Sequence, residues 1–412
     1  MTAHDRLDAW IDEHFDEQVR FLQALVRVPT DTPPGDNAPH AECTARLLGE
    51  FAFDAESHAV PADAVHEYGL RSLTNLVVRR RYGHAGRVIG LNAHGDVVPP
   101  GEGWTQDPYG GQVVDGQLYG RAAAVSKSDF ATYVFATRAL ETLRDRLDGG
   151  VELYFTYDEE FGGTLGPGWL LEQGLARCDL LVAAGFSYQV VTAHSGCLQM
   201  AVTVHGRMGH AAVPDTAIDA LQGAVAILNA LYARNEAYRQ VHSGVAGIVH
   251  PYINVGRIEG GTNTNVVPGT VVLKLDRRMI PEEDPAVVER EIRDTIAQAA
   301  ATRAGIHVDI RRLLLAHPLK PLAGNAPLVD ALRRHAGALF GQDIPVCGTP
   351  LYTDARLFSE RGIPAVIYGA GPRTVLESNA KRADEHLDLE DLRRATKVIA
   401  RSLFDLLARP AA

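Results

Sequence analysis

Apolar positions near the start of the chain recur at helical spacing: Leu7, Trp10 and Ile11, then Phe15, Val19, Phe21, Leu22 and Leu25. That period predicts a helix ending by Pro29, because proline lacks the N–H that another turn would need. The run "DTPPGDN" after it reads as a loop. Further on the pattern shifts to short, unbroken apolar runs, "LTNLVVRR", "RVIGLNAHGDVV", "VELYFTYDEE" and "DLLVAAG". Glycine or charge bounds each run, and helical stretches at 128–147 and 167–175 intervene. Such alternation predicts an α/β fold: a largely parallel mixed sheet with helices on both faces.

From about residue 197 the texture changes again. Strand "LQMAVTVHG", helix "DTAIDALQGAVAILNALYARN", strands "YINVGRIEGG" and "TVVLKLDRRM", helix "DPAVVEREIRDTIAQAA" and strand "HVDIRRLLL" predict a small inserted α+β unit. Helix–strand alternation then resumes with a helix at 327–340 and the strand "PAVIYGAG", and a helix over 388–408 closes the chain. The predicted organisation is one discontinuous domain, 1–196 with 315–412, and an inserted domain, 197–314.

Length and composition agree with two domains: 412 residues, 46% hydrophobic and 22% charged. The formal charge of -11 disfavours nucleic acid as a partner, since phosphate binding needs clustered Lys and Arg. Arg79, Arg80 and Arg81 form an isolated basic run that reads as a solvated strand end. Cys43, Cys178, Cys197 and Cys347 lie far apart, which predicts buried free thiols rather than disulfides or a thiolate zinc site. The N-terminus lacks the pattern of a signal peptide, and no segment offers the roughly 20 apolar residues that span a bilayer. A cytoplasmic protein without a membrane partner is expected. Glycine-rich runs such as "YGGQ" do not follow the strand-to-helix pattern of a phosphate-binding loop, and no motif ties Ser187 or Ser195 to a base.

Three stretches carry the chemistry: "AHGDVVPPGEGWTQDPYGGQVVDGQLYGRAAA", "TYDEEFGG" and "YTDARLFSERGIPAVIYGAG" with the later "ADEHLDLEDL". Together they resemble the zinc peptidase family of acetylornithine deacetylase, succinyl-diaminopimelate desuccinylase, aminoacylase and carboxypeptidase G, from about residue 15 to 408. The resemblance implies a pair of zinc ions at the carboxyl ends of the strands. Each ion would have a His and a carboxylate of its own, an Asp would bridge the two, and a Glu would serve as general base. It also implies that the inserted domain is a lid through which the chain forms a homodimer.

Carried over residue by residue, His94 matches the first histidine ligand and Asp96 the carboxylate that orients it. Glu159 matches the general base, and Glu160 a carboxylate ligand. The other ligand positions depart from the pattern. Val125 falls where the bridging Asp belongs, Phe186 where the second carboxylate belongs, and Lys381 where the last histidine belongs. Zinc sites hold at least three protein ligands, so tight metal binding is not expected and no cofactor is expected either. Lys381 reads in two ways, as a salt bridge to Glu160 or Glu159 that keeps an inactive site folded, or as an electrophile, proton donor or Schiff-base nucleophile in an apolar pocket. Neighbouring Asp129 reads as an N-terminal helix carboxylate, and His386 as part of a surface element.

In the inserted domain, His210 of "HGRMGHAAVP" matches the family's oxyanion-stabilising histidine. Asn265 and Arg278 match its substrate-carboxylate clamp, with Arg277 on the opposite strand face. Gly371 would let backbone approach a ligand closely, or simply sit in a loop. The expectation is a metal-independent enzyme acting by acid/base chemistry on a small amide or amino-acid derivative bearing a free carboxylate. Glu159 would be the acid/base, with His210, Lys381 and His94 supplying polarisation. Cyclisation, condensation, elimination or acyl transfer would suit it, since losing the ions removes the means of making hydroxide at neutral pH. The alternatives are a non-catalytic binding protein that keeps the pocket, and a weak hydrolase with a rebuilt single-metal site.

Overall fold

Strands Gly150–Thr156 and Leu180–Ala183 are buried at every position, as strands covered on both faces must be. The computed structural model, which describes residues 1–409, places them inside an eight-stranded mixed sheet. Its order is Ala55–Ala59, Thr74–Arg81, Gly150–Thr156, Val88–His94, Leu180–Ala183, Ala365–Ile367, Val190–His194 and Val346–Thr349. The central run from Gly150–Thr156 to Ala365–Ile367 pairs in parallel. Antiparallel partners flank it on either side.

Helix Lys127–Glu141 is buried along almost its whole length and lies against helices Phe15–Val26 and Leu389–Leu407. The last of these begins at Asp388, whose side chain accepts the Glu390 and Asp391 N–H groups, and it buries the stripe Leu392, Ala395, Val398, Ile399, Leu403 and Leu407.

Four local readings change. The N-terminal helix is two helices, Ala3–Glu13 and Phe15–Val26. They part at His14, whose ring bonds the Trp10 carbonyl at 2.8 Å and stacks on the Trp10 indole. The helix expected over 167–175 shrinks to Trp169–Glu172, because Gly162, Gly163, Gly166, Pro167 and Gly168 oppose regular helix before it. Arg79, Arg80 and Arg81 do end their strand, with Arg81 exposed, but they are ion-paired rather than merely solvated. Arg79 and Arg81 lie 2.7 and 2.5 Å from the carboxylate of fully buried Glu152, and Arg80 pairs with Glu141 at 2.7 Å. All four cysteines are free, but only Cys178 and Cys197 are buried, while Cys43 and Cys347 are half-buried.

Contacts divide the chain into two compact units, Met1–Thr192 with 321–347 and 353–412, and Ala193–Lys320 with 348–352. The second unit is a four-stranded antiparallel sheet ordered Tyr252–Gly260, Thr270–Met279, Gly196–His205, His307–Ala316. Strand Thr270–Met279 alternates buried and partly exposed positions, as expected where one face alone is covered. Helices Ala220–Tyr238 and Pro285–Ala301 pack against this sheet, each begun by an aspartate cap, Asp219 and Asp284. No helix among the described residues is long and apolar enough to cross a membrane.

Candidate active site

Parallel neighbours deliver their carboxyl ends to the same edge of a sheet, which is where α/β proteins gather ligand-binding groups. Here strand Val88–His94 ends on His94, and Gly150–Thr156 runs into Tyr157, Asp158, Glu159 and Glu160. Leu180–Ala183 leads to Phe186, and Ala365–Ile367 leads to Gly371. Sequence-distant residues thus meet at one edge.

Five of the anticipated groups form one charged cluster. His94 Nδ1 lies 3.0 Å from the Asp96 carbonyl and 3.3 Å from its carboxylate, while Nε2 faces Glu159 Oε2 at 3.9 Å. Asp96 Oδ2 accepts the Glu160 N–H at 2.9 Å, tying the "HGD" turn to the "DEE" turn. Lys381 Nζ sits 2.7 Å from Glu160 Oε2. The Glu159 and Glu160 side chains are 13% and 10% exposed, that of Lys381 60%, so the ammonium reaches in from solvent onto a nearly buried carboxylate.

Burial pushes the Glu159 carboxyl up to about 7 against the opposing pull of His94. For His94 burial acts downward, but Glu159 and Asp96 more than offset it and raise the imidazole to about 10. Burial likewise acts downward on Lys381, and Glu160 and Glu159 more than offset that, holding the ammonium above its ordinary value. Of the two settings expected for Lys381, the geometry is that of the salt bridge: the side chain is 60% exposed and paired with Glu160 rather than enclosed in an apolar pocket.

Val125, Phe186 and Gly371 form a neighbouring patch without charge. Phe186 bridges to Gly371 as a short parallel pair, and the Gly371 carbonyl accepts both the N–H and the hydroxyl of Ser187 at 3.0 and 2.8 Å. A Cβ on Gly371 would sit 2.5 Å from the Gly185 carbonyl oxygen and 3.2 Å from Val125. The glycine is therefore explained by a backbone crossing inside the protein, without a ligand.

Asp129 opens helix Lys127–Glu141 as anticipated, and it is fully buried. Its Oδ1 accepts the Ala370 N–H at 2.8 Å, and burial pushes it up to about 8. His386 lies half-buried on the short strand His386–Asp388, its Nδ1 2.8 Å from the Asp384 carbonyl.

Several contributors escape sequence reasoning. Ser126 Oγ accepts the His94 N–H at 3.2 Å. Asp158 is buried and pushed up to about 8, with Leu165 N–H on its Oδ2 at 2.6 Å. Buried Asp354 is held well above the carboxylate range by burial, then by Glu159 and Asp158. Asp158 and Asp354 both stand within the quoted motifs, which was the signal available. The Arg121–Glu385 ion pair, 2.5 Å long with side chains 1% and 2% exposed, anchors the segment that bears Lys381, since Glu385 also accepts the Lys381 N–H at 3.3 Å.

The donor set can be tested against a metal pair. His94 Nδ1 is held by Asp96 as a ligand histidine's would be, but Glu160 is engaged by Lys381, and Val125 and Phe186 offer no ligand atom. Among the described residues, the three-residue group whose potential ligand atoms all lie within 4.8 Å of one another is His4, His335 and Asp405, not this cluster.

In the second unit, Gly209–His210 pairs with Val266–Val267, and the Ala211 N–H donates to the Asn265 carbonyl at 3.0 Å, so His210 and Asn265 are brought together. Both are exposed. Arg278 stands apart at the end of Thr270–Met279, its Nε 2.7 Å from Asp276, beside the Tyr352 ring. Arg277 turns to the other face, buried on Glu283 at 2.5 Å.

Comparison with known proteins places this arrangement. The chain is similar to succinyl-diaminopimelate desuccinylase of Methylorubrum extorquens, with 29% identity over 396 residues, covering 93% of this chain and 97% of that protein. The same enzyme of Thioalkalivibrio sulfidiphilus shows 28% identity over 401 residues, covering 94% and 98%. In fold it is similar to a di-peptidase of Saccharomyces cerevisiae, TM-score 0.77 at 13% identity over 98% of both chains. It is also similar to an M20 family metallo-carboxypeptidase of Sulfolobus solfataricus, TM-score 0.76 at 18% identity over 95% and 98%. Residues 90–405 match the model of peptidase family M20/M25/M40, and the chain belongs to that family.

Proposed function

We propose that this member of a peptidase and amidohydrolase family acts on a small amide or amino-acid derivative with a free carboxylate, with Glu159 as acid/base, and that it does so without the metal pair. The observation that carries the reading is the Lys381–Glu160 pair at 2.7 Å, an ammonium standing against the carboxylate that would otherwise be free for a cation. The absence of side-chain donors at Val125 and Phe186 supports it. The reading departs from the Sulfolobus neighbour, which is described as a metallo-carboxypeptidase.

Each residue's part follows from its setting. Glu159, next to His94 and nearly buried, is placed to take a proton from a substrate group or return one. His94 supplies a positive partner for the resulting carboxylate, and Asp96 fixes its ring. Lys381 neutralises Glu160 so that the cluster does not hold adjacent uncompensated carboxylates. His210, Asn265 and Arg278 enter on the family resemblance, as groups for the substrate carbonyl and carboxylate. The desuccinylase relatives make N-succinyl amino acids the first substrates to try. Turnover of N-succinyl and N-acyl amino acids by wild type, with and without chelator, tests the proposal: chelator-resistant turnover that Glu159→Gln abolishes supports it. Turnover that chelator abolishes and zinc restores refutes the metal-free part.

A homodimer in the cytoplasm is part of the same proposal. Leu221, Val225 and Tyr232 are exposed at helical spacing on Ala220–Tyr238, and Tyr252–Gly260 is an edge strand with Ile258 exposed. A monomer by light scattering would remove it.

A further inference from the structure

A cavity of 340 Å³ opens in the first unit between the start of helix Leu389–Leu407 and the segment that follows Gly371. Its wall carries the carboxyl groups of Glu377, Asp388, Glu390 and Asp391 against the single guanidinium of Arg394. Arg394 is already committed, its Nε donating to Glu390 Oε1 at 3.1 Å. Asp388 is committed too. Its Oδ1 accepts the Glu390 and Asp391 N–H groups at 2.8 and 3.2 Å, and its Oδ2 accepts Gln117 Nε2 at 3.1 Å.

Two carboxylates keep capacity to spare. Asp391 Oδ1 takes the Tyr188 hydroxyl at 2.7 Å, which leaves Oδ2, and exposed Glu377 has no protein donor on its carboxylate among the described residues. Burial pushes the Asp391 carboxyl up to about 6 against the opposing pull of the Tyr188 hydroxyl, and the charges of Asp388 and Glu377 add to the rise. An independent observation points to a ligand as well. Ser378 lines the same cavity at 3% exposure, and its Oγ has no hydrogen-bond partner, whereas buried hydroxyls as a rule have one.

The chemistry of the wall selects the ligand. An anion would meet an excess of carboxylates. A metal ion needs ligand atoms closing on one point, and among the described residues such a group occurs at His4, His335 and Asp405 instead. The volume is that of a small-molecule site. We infer that the cavity binds a small organic cation, an aliphatic diamine or a guanidinium compound, held between Glu377 and Asp391 with an N–H donated to Ser378 Oγ. Pro372, Glu377, Ser378 and His386 belong to the run that also carries Lys381 and Glu385, so an occupant steadies the segment that places the ammonium on Glu160.

Isothermal titration of the full chain with putrescine, with n-butanol as neutral control and with inorganic phosphate tests this without any turnover assay. Saturable putrescine binding is expected, with none for butanol or phosphate. Binding should weaken by about ten-fold or more in Glu377→Gln and in Asp391→Asn. Because Glu377 is exposed, Glu377→Gln leaves the fold intact and keeps the test decisive if Asp391→Asn unfolds. Hydrogen exchange over 372–386 should slow with putrescine present. No saturable putrescine binding to wild type, equal binding by Glu377→Gln, or a preference for phosphate overturns the inference.

Discussion

Replacing Lys381 with Met removes one charge and keeps the length of the side chain, which isolates what the ammonium does for Glu160. At the 2.7 Å separation, Coulomb's law gives between about 1.5 kcal/mol in water and about 6 kcal/mol at an effective dielectric of about 20. The pair straddles those limits, since the Glu160 side chain is 10% exposed and that of Lys381 60%. Solvent on the lysine side, and the entropy of holding a long side chain, bring the expected net coupling to about 1–2 kcal/mol. A double-mutant cycle of Lys381→Met and Glu160→Gln, read by urea unfolding, measures that coupling with the effects of each single change cancelled. The coupling should shrink in high salt, because the lysine end is open to counter-ions. A coupling within about 0.3 kcal/mol of zero would refute the claim that Lys381 is the counter-ion of this cluster.

Glu159→Gln should lower turnover on any substrate found by about 10²–10⁴-fold with unfolding unchanged or slightly improved, a split that kinetics and urea melts read together. Arg121→Met strands a Glu385 carboxylate that is 2% exposed and should cost about 3–5 kcal/mol, whereas adding Glu385→Gln should restore part of it. Burial lowers the Lys127 amine from 10.5 to about 7, even though it donates to the Leu25 and Val28 carbonyls. The folded state therefore binds that proton less tightly than the unfolded one, so stability rises with pH between about 7 and about 10.5 and is level below about 7, where both states hold the proton. Lys127→Met should flatten that slope in urea melts run across the same window. Dimer loss is expected from Val225→Asp with Tyr232→Asp on the exposed stripe of Ala220–Tyr238, read by light scattering.

How much was legible in the chain depends on how local the cause was. Buried parallel strands announce themselves as unbroken apolar runs, so the architecture followed from pattern, while the aspartate caps Asp219, Asp284 and Asp388 came only with the structure. The ends of four parallel strands then brought His94, Glu159, Phe186 and Gly371 to one edge, which motif order already implied. What pattern could not show is pairing across hundreds of residues. Nothing near Arg79 indicates Glu152, nothing near Arg121 indicates Glu385, and the basic run looked solvated for that reason. Nor does spacing reveal exposure: it left Lys381 between a salt bridge and an apolar pocket, where the structure shows an exposed salt bridge, and it gave no sign that the helix carboxylate Asp129 lies buried against Ala370. Gly371 shows the same limit, since its partner is the Gly185 backbone far away in sequence.

The central claim is that Glu160 is neutralised by Lys381 in place of a metal pair, and metal content measures it most directly. Protein purified without chelator and analysed by inductively coupled plasma mass spectrometry should carry well under one equivalent of zinc, manganese or cobalt per chain. Zinc added to about ten-fold excess and then dialysed away should leave no more. About two retained ions per chain, the complement of a dinuclear hydrolase, would contradict the account.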